Sequence, residues 1–282
     1  MRLLICGSRG STPASGVEFV RYGGSTSCLA LSHGREPPHL LLDAGTGLPR
    51  LVAVMGDQPF RGSILLTHLH WDHTHGIPFF RSGDRPDASV RLLMPEQGDA
   101  EAVLSRAISP PHFAITPRDL RGEWSFGGIE EGEHELEGFH VLALEIPHKG
   151  GRTFGYRVSD GSSTIAYLPD HHPASLGPGP DGYGEYHQSA LRLAANVDLL
   201  IHDGQYTAAE FPARSAYGHS AIPYAIGLAE RAGAQRLLLF HHDPLRTDTE
   251  IDALVDEAQQ VTRTPLAAAA EGGVVELPVA VG

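Results

Sequence analysis

"SILLTHLHWDH", residues 63–73, runs from three apolar residues into three histidines and an aspartate. The short apolar run predicts a strand over Ile64–Thr67. In an extended tail beyond it, alternate residues point the same way, so His68 and His70 can face one ion. The chain must then turn, which lets Asp72 and His73 approach from another side. Neutral imidazole is the commonest metal donor. Two imidazoles plus a third make a typical zinc set with one position left for water. The chain has 17 histidines in 282 residues, so a lone His-x-His would read as a polar loop. The full His-x-His-x-Asp-His pattern behind an apolar strand is far more specific.

Working outward, three other apolar runs stop at a metal-capable side chain and then turn. "ALEIPHKGG" (143–151) ends in His148. "STIAYLPDHH" (163–172) ends in Asp170, with His171 and His172 beside it. "RLLLFHHDP" (236–244) ends in His241, with His242 beside it. Strand-end loops on a rigid sheet are a common place for function. Each of these residues alone would be an ordinary loop side chain; three such ends in this order point to one site.

Further strands are expected at Leu3–Cys6, Cys28–Leu31, Leu40–Asp43, Val90–Met94, His140–Ile146, Thr153–Val158, Thr164–Leu168, Leu199–His202, Leu237–His241 and Gly273–Leu277. Helical spacing occurs over Leu48–Met55, Gln97–Ala107, His187–Asn196 and Ile222–Ala232, and over Asp248–Val261, whose acidic first turn suits the helix dipole. Strands dominate the first 170 residues, and strand–helix alternation follows. This suits an α/β (α+β) layered sandwich, sheets inside and helices outside, in one domain over 1–282. Residues 81–137 are the least regular and are expected to form a lid or an insertion. Gly177–Gly184 (GPGPDGYG) reads as a surface loop rather than a linker.

The formal net charge of −13 argues against holding nucleic acid through a basic surface. The two cysteines, Cys6 and Cys28, exclude a disulfide framework and make a poor structural zinc site. The N-terminal apolar run is too short for a signal peptide, and no stretch reaches a membrane span. A cytoplasmic protein without membrane contact is expected.

His68, His70, Asp72, His73, His148, Asp170 and His241 resemble the seven ligands of the metallo-β-lactamase superfamily, over nearly the whole chain. The resemblance implies a four-layer αββα sandwich with a dinuclear site at one edge. It implies that His68, His70 and His148 bind one divalent ion. Asp72, His73 and His241 would bind the second, with Asp170 bridging. In each doublet the first partner is the better match; whether His242, His171 or His172 joins the site stays open. Zinc comes first, and the same donors accept manganese or iron.

"GSRGSTPASGVEFVRYGGSTSC" (7–28) is similar to the N-terminal loop of the ribonuclease Z-like and cyclic-phosphodiester-hydrolysing branch. "DLLIHDGQYTAAEF" (198–211) resembles that branch's His-Glu-Ala segment, here His202-Asp203-Gly204. "YGHSAIPYAIGLAERAGAQRLLLFHHDP" (217–244) resembles its Gly-His-Ser-Thr helix and last ligand strand, with Ala221 in place of Thr. The resemblance makes His219 a catalytic group near the leaving group, with Asp203 orienting it as carboxylates orient catalytic imidazoles. Ser220 would serve equally as a helix cap.

Two cations can neutralise a phosphodiester and activate a water shared between them, which Asp72 or Asp170 would hold in line. The expected activity is therefore dinuclear metal-dependent hydrolysis of a small or cyclic phosphodiester through a metal-bridging hydroxide. The acidic charge and the lack of an obvious tRNA-holding arm tilt away from nucleic acid, leaving a ribonuclease Z-like endonuclease as the alternative. Thioester or lactone hydrolysis, or a non-catalytic metal-binding sensor, are the other readings. Family resemblance also allows a homodimer.

Overall fold

The computed structural model describes residues 1–277. Its strands form two seven-stranded sheets. The first holds β1 (Arg2–Gly7), β2 (Cys28–Ser32), β3 (Leu40–Leu42), β4 (Arg61–Leu65), β5 (Ser89–Pro95), β6 (Glu123–Ile129) and β14 (Val274–Glu276), in the order β14-β1-β2-β3-β4-β5-β6. The second holds β7 (Gly132–Leu136), β8 (Phe139–Glu145), β9 (Phe154–Ser159), β10 (Thr164–Leu168), β11 (Leu199–Asp203), β12 (Leu237–Phe240) and β13 (Leu266–Ala268), in the order β13-β12-β11-β10-β9-β8-β7. Each sheet is antiparallel in one half and parallel in the other: β3 to β6 run parallel, as do β10 to β13.

Period-two burial sets the layers. Leu3 and Ile5 of β1, Ile165 and Tyr167 of β10, and Leu238 and Phe240 of β12 meet in the core between the sheets. Their neighbours face outward, because successive strand side chains point to opposite faces. Ala166, Leu168, Leu237 and Leu239 pack under the helices Gln188–Ala194, Ile222–Ala232 and Asp248–Val261. Leu4, Cys6 and Leu92 pack under the first sheet's helical layer, which includes Ala100–Ser105. The expected four-layer αββα sandwich is what the chain forms. Strands buried on both faces read as unbroken apolar runs, which is why "LLL" and "LLLF" were visible as strands.

Residues 81–137 carry more regular structure than their sequence suggests. They contain β5, β6 and β7, the latter two being the far edge strands of the two sheets. β6 (EWSFGGI) holds two glycines and β7 (GEHEL) alternates charge, so neither shows an apolar run. An edge strand with one solvated face needs none. Residues between β5 and β6 fold over the outer face of the first sheet, burying Ala100, Leu104, Ile108 and Leu120. β13 is missed for a different reason: three residues are too few to carry a pattern. Among the described residues no helix is long and apolar enough to cross a membrane.

Candidate metal centre

The C-terminal ends of the parallel strands converge at one edge, where open α/β sheets bind ligands. β3 leads to Asp43, β4 to the His68–His73 turn, β10 to Asp170, β11 to Asp203 and β12 to His241. His148 comes from the β8–β9 connection. All nine residues singled out from the sequence lie here. His68, His70 and His148 each offer an atom within 4.8 Å of the others, and so do Asp72, His73 and His241. Asp170 lies between the two groups. Its Oδ2 is 2.8 Å from His73 Nε2 and 3.2 Å from His241 Nε2, and its Oδ1 is 3.6 Å from His148 Nε2.

The imidazoles are aimed by what holds their other nitrogen. His148 Nδ1 donates to the Gly218 carbonyl at 2.7 Å, and His241 Nδ1 donates to Gln205 Oε1 at 2.9 Å. His73 Nδ1 donates to Asp43 Oδ2 at 2.8 Å. Such outer contacts fix tautomer and orientation, and they turn each Nε2 inward. Asp72 Oδ2 is held by the Ser11 backbone N–H at 2.7 Å and lies 3.0 Å from His241 Nε2. His241 adopts a left-handed φ of 57°. A Cβ on Gly10 would come within 2.2 Å of its ring, so the N-terminal loop packs directly on this ligand-type side chain.

Three buried atoms have no hydrogen-bond partner here: His68 Nε2, His73 Nε2 and Asp170 Oδ2. With Nδ1 donating to Asp43, His73 turns Nε2 toward an Asp170 oxygen 2.8 Å away. Burial opposes charge on this ring, but Asp43, Asp170 and Asp72 raise its pKa well above the usual value, so a second proton sits where a bound cation would replace it. Two electron-rich atoms so close in a buried site require a positive charge between them. Burial holds His68 neutral, well below its usual pKa, and draws His148 down to about 4. Burial opposes charge on Asp72 and Asp170 too, yet the surrounding imidazoles keep both well below the ordinary carboxylate range. Neutral imidazoles and ionised carboxylates are the states a metal needs. The residues fit divalent cations with N/O preference, and among the described residues the donor groups hold only His and Asp.

His219 lines the cavity above this cluster, a space of about 340 Å³ that also meets Ser11, Leu69, Trp71 and Asp170. Its Nδ1 lies 3.1 Å from Asp203 Oδ2. Burial would discharge it, but Asp203 and Asp170 raise its pKa to about 9. Asp203 is fully buried, and its Oδ2 also accepts from the backbone N–H groups of His171 and Ser220. The neighbouring histidines are accounted for otherwise. His242 Nε2 donates to the Ala269 carbonyl at 2.9 Å. His171 sits in a separate chain with His202 (2.9 Å) and His187 (2.7 Å).

Asp43 and Gln205 are site residues that the sequence reading passed over. Asp43 ends the apolar run "LLLDAGTG" (40–47), the same signature that marked Asp170 and His241. Gln205 carries no such signal.

An αββα sandwich with a buried His/Asp cluster at its strand ends defines a class, the metal-dependent hydrolases of the metallo-β-lactamase fold. A sequence model of the β-lactamase superfamily domain matches residues 39–242, and the chain belongs to that superfamily. It is 42% identical to a ribonuclease Z of Lactococcus lactis, over 70% of this chain and 76% of that one. It is 25% identical to a ribonuclease Z of Geobacillus kaustophilus, over 93% and 94%. A crystal structure described as a new diphosphatase from the PhnP family shares the fold at 18% identity, with a TM-score of 0.68, covering 99% of this chain and 98% of that one.

Proposed function

We propose that the chain is a dinuclear metal-dependent phosphodiesterase. The observation that carries this reading is the pair of three-donor groups with Asp170 lying between them, and the His219–Asp203 pair beside them. His68, His70 and His148 would hold one ion, Asp72, His73 and His241 the other, and Asp170 would bridge. Bound divalent cations supply Lewis acidity that neutralises a phosphodiester and stabilises its transition state. The protein supplies the rest. The Ser11 N–H fixes Asp72, leaving its carboxylate placed to orient an attacking water. Asp203 anchors His219 through Nδ1 and keeps it protonated, so that it can donate a proton to the leaving alkoxide.

A small or cyclic phosphodiester suits the net charge of −13, because little basic surface is available for a long polyanion. The ribonuclease Z reading is favoured by the names of the curated relatives. Metal analysis with bis-p-nitrophenyl phosphate turnover tests the class. Cyclic nucleotides, cyclic sugar phosphates, precursor tRNA, thioesters and lactones, assayed with Zn²⁺ and Mn²⁺, test the bond. Two ions and phosphodiester turnover are expected. Two ions with turnover of thioesters or lactones alone, or of nothing, would reject the proposal.

A further inference from the structure

Trp71 lies between two of the metal-type residues, His70 and Asp72, yet its side chain is 66% exposed. Burial of an indole is strongly favourable, so an exposed one at the mouth of a site is conspicuous. Its ring stacks nearly parallel to that of His75, one helical turn on, with centroids 5.5 Å apart and planes at 14°. Trp71 and Leu69 line the cavity over the metal cluster. The same two residues line a second cavity of about 580 Å³, together with His75, Arg106, Ile108 and His112. The two spaces therefore share a wall. A third cavity of about 350 Å³ continues past His75 and His112 to Phe79 and Phe113. The second cavity falls within the usual ligand range of about 300–1,000 Å³.

We propose that Trp71 and its adjoining cavity form a subsite for a nucleobase attached to the scissile phosphate. The inference rests on the phosphodiesterase reading and narrows its substrate to nucleotidyl esters. An exposed ring, held in plane by His75, presents a flat apolar face beside the reacting centre. Every base has a π-face, so stacking needs no particular hydrogen-bonding edge. Arg106 and His112 on the same cavity add polar groups suited to base edges or a neighbouring phosphate. A plain sugar phosphate would leave this face unused. The base could come from a cyclic mononucleotide or from an RNA strand, and the continuing cavity at Phe79 and Phe113 offers room for a second base in the latter case.

The test is equilibrium binding to the zinc-loaded protein, read by tryptophan fluorescence and calorimetry rather than by turnover. AMP is compared with ribose 5-phosphate, which lacks the base. AMP should bind about tenfold more tightly and quench fluorescence. Trp71→Ala should erase that preference while metal content stays at the wild-type level, and Trp71→Phe should keep part of it. No preference for AMP in the wild type would overturn the proposal, as would a preference that survives in Trp71→Ala. Should Trp71→Ala lose metal, His112→Ala or Arg106→Gln must reduce the preference, and failure of both to do so would overturn it equally. Tighter binding of 2′,3′-cyclic AMP supports the subsite with a mononucleotide as occupant; tighter binding of a short oligoadenylate supports it with RNA. Failure of the phosphodiesterase reading shows separately, as absent turnover of bis-p-nitrophenyl phosphate.

Discussion

Asp43→Asn should weaken the proposed metal site that contains His73 more than the one that contains His68. Asp43 is fully buried with φ at 61°, a conformation asparagine tolerates far better than most residues. The backbone can therefore stay as it is. Asp43 receives the Thr67 N–H at 2.7 Å, the Thr67 hydroxyl at 3.0 Å, the Tyr167 hydroxyl at 2.9 Å and His73 Nδ1 at 2.8 Å. The last reaches His73 directly, and the Thr67 hydroxyl, 3.1 Å from His68 Nδ1, passes a weaker, indirect support to His68. Charge-assisted hydrogen bonds are worth about twice neutral ones, so losing the charge costs about 1 kcal/mol from the His73 contact. The carboxylate's attraction for the cation beyond His73 is lost as well. Together these fall in the range of about 10–100-fold for partners behind a metal ligand, or about 1.4–2.7 kcal/mol. Zinc titration against a chromophoric chelator should show one dissociation constant raised by that factor and the other raised less. Circular dichroism would establish that the variant is folded. Two wild-type constants in a folded variant would refute the orienting role, and equal weakening of both would refute the division of ligands into two sets.

His219→Ala should keep both ions but slow turnover, and the loss should be larger for a methyl than for a p-nitrophenyl leaving group. Equal losses in kcat for both would count against proton donation by His219. Arg9→Met should lower unfolding free energy by about 3 kcal/mol in urea titration. Arg9 is fully buried and donates to the carbonyls of Gly23, Asp243 and Arg246. Asp248 lies 3.7 Å from it. A change under about 1 kcal/mol would show that this buried guanidinium contributes little net stability.

Much of the sandwich is legible because its strands are buried on both faces, so apolar runs such as Leu40–Leu42 and Leu237–Phe240 mark themselves. The ligand-type residues are legible for a related reason: chemistry sits where those runs stop. β6 and β7 escape because a solvated edge carries no such run. Gln205 and the Gly218 carbonyl escape because orienting contacts are made by whatever polar atom folding brings near, and only tertiary structure shows which. The expectation that nucleic acid is disfavoured followed from overall charge, which says nothing about a local aromatic face such as that of Trp71.

The region matched by the family model starts at residue 39, yet Gly10 packs on the ring of His241 and Ser11 clamps Asp72. Modularity in this chain is consequently an illusion of alignment. Excising the matched span for expression, or grafting it onto another scaffold, would discard the backbone donor that steadies Asp72 and the glycine whose lack of a side chain lets it sit against His241. Engineering of this protein has to treat its first dozen residues as inseparable from the chemistry more than two hundred positions away.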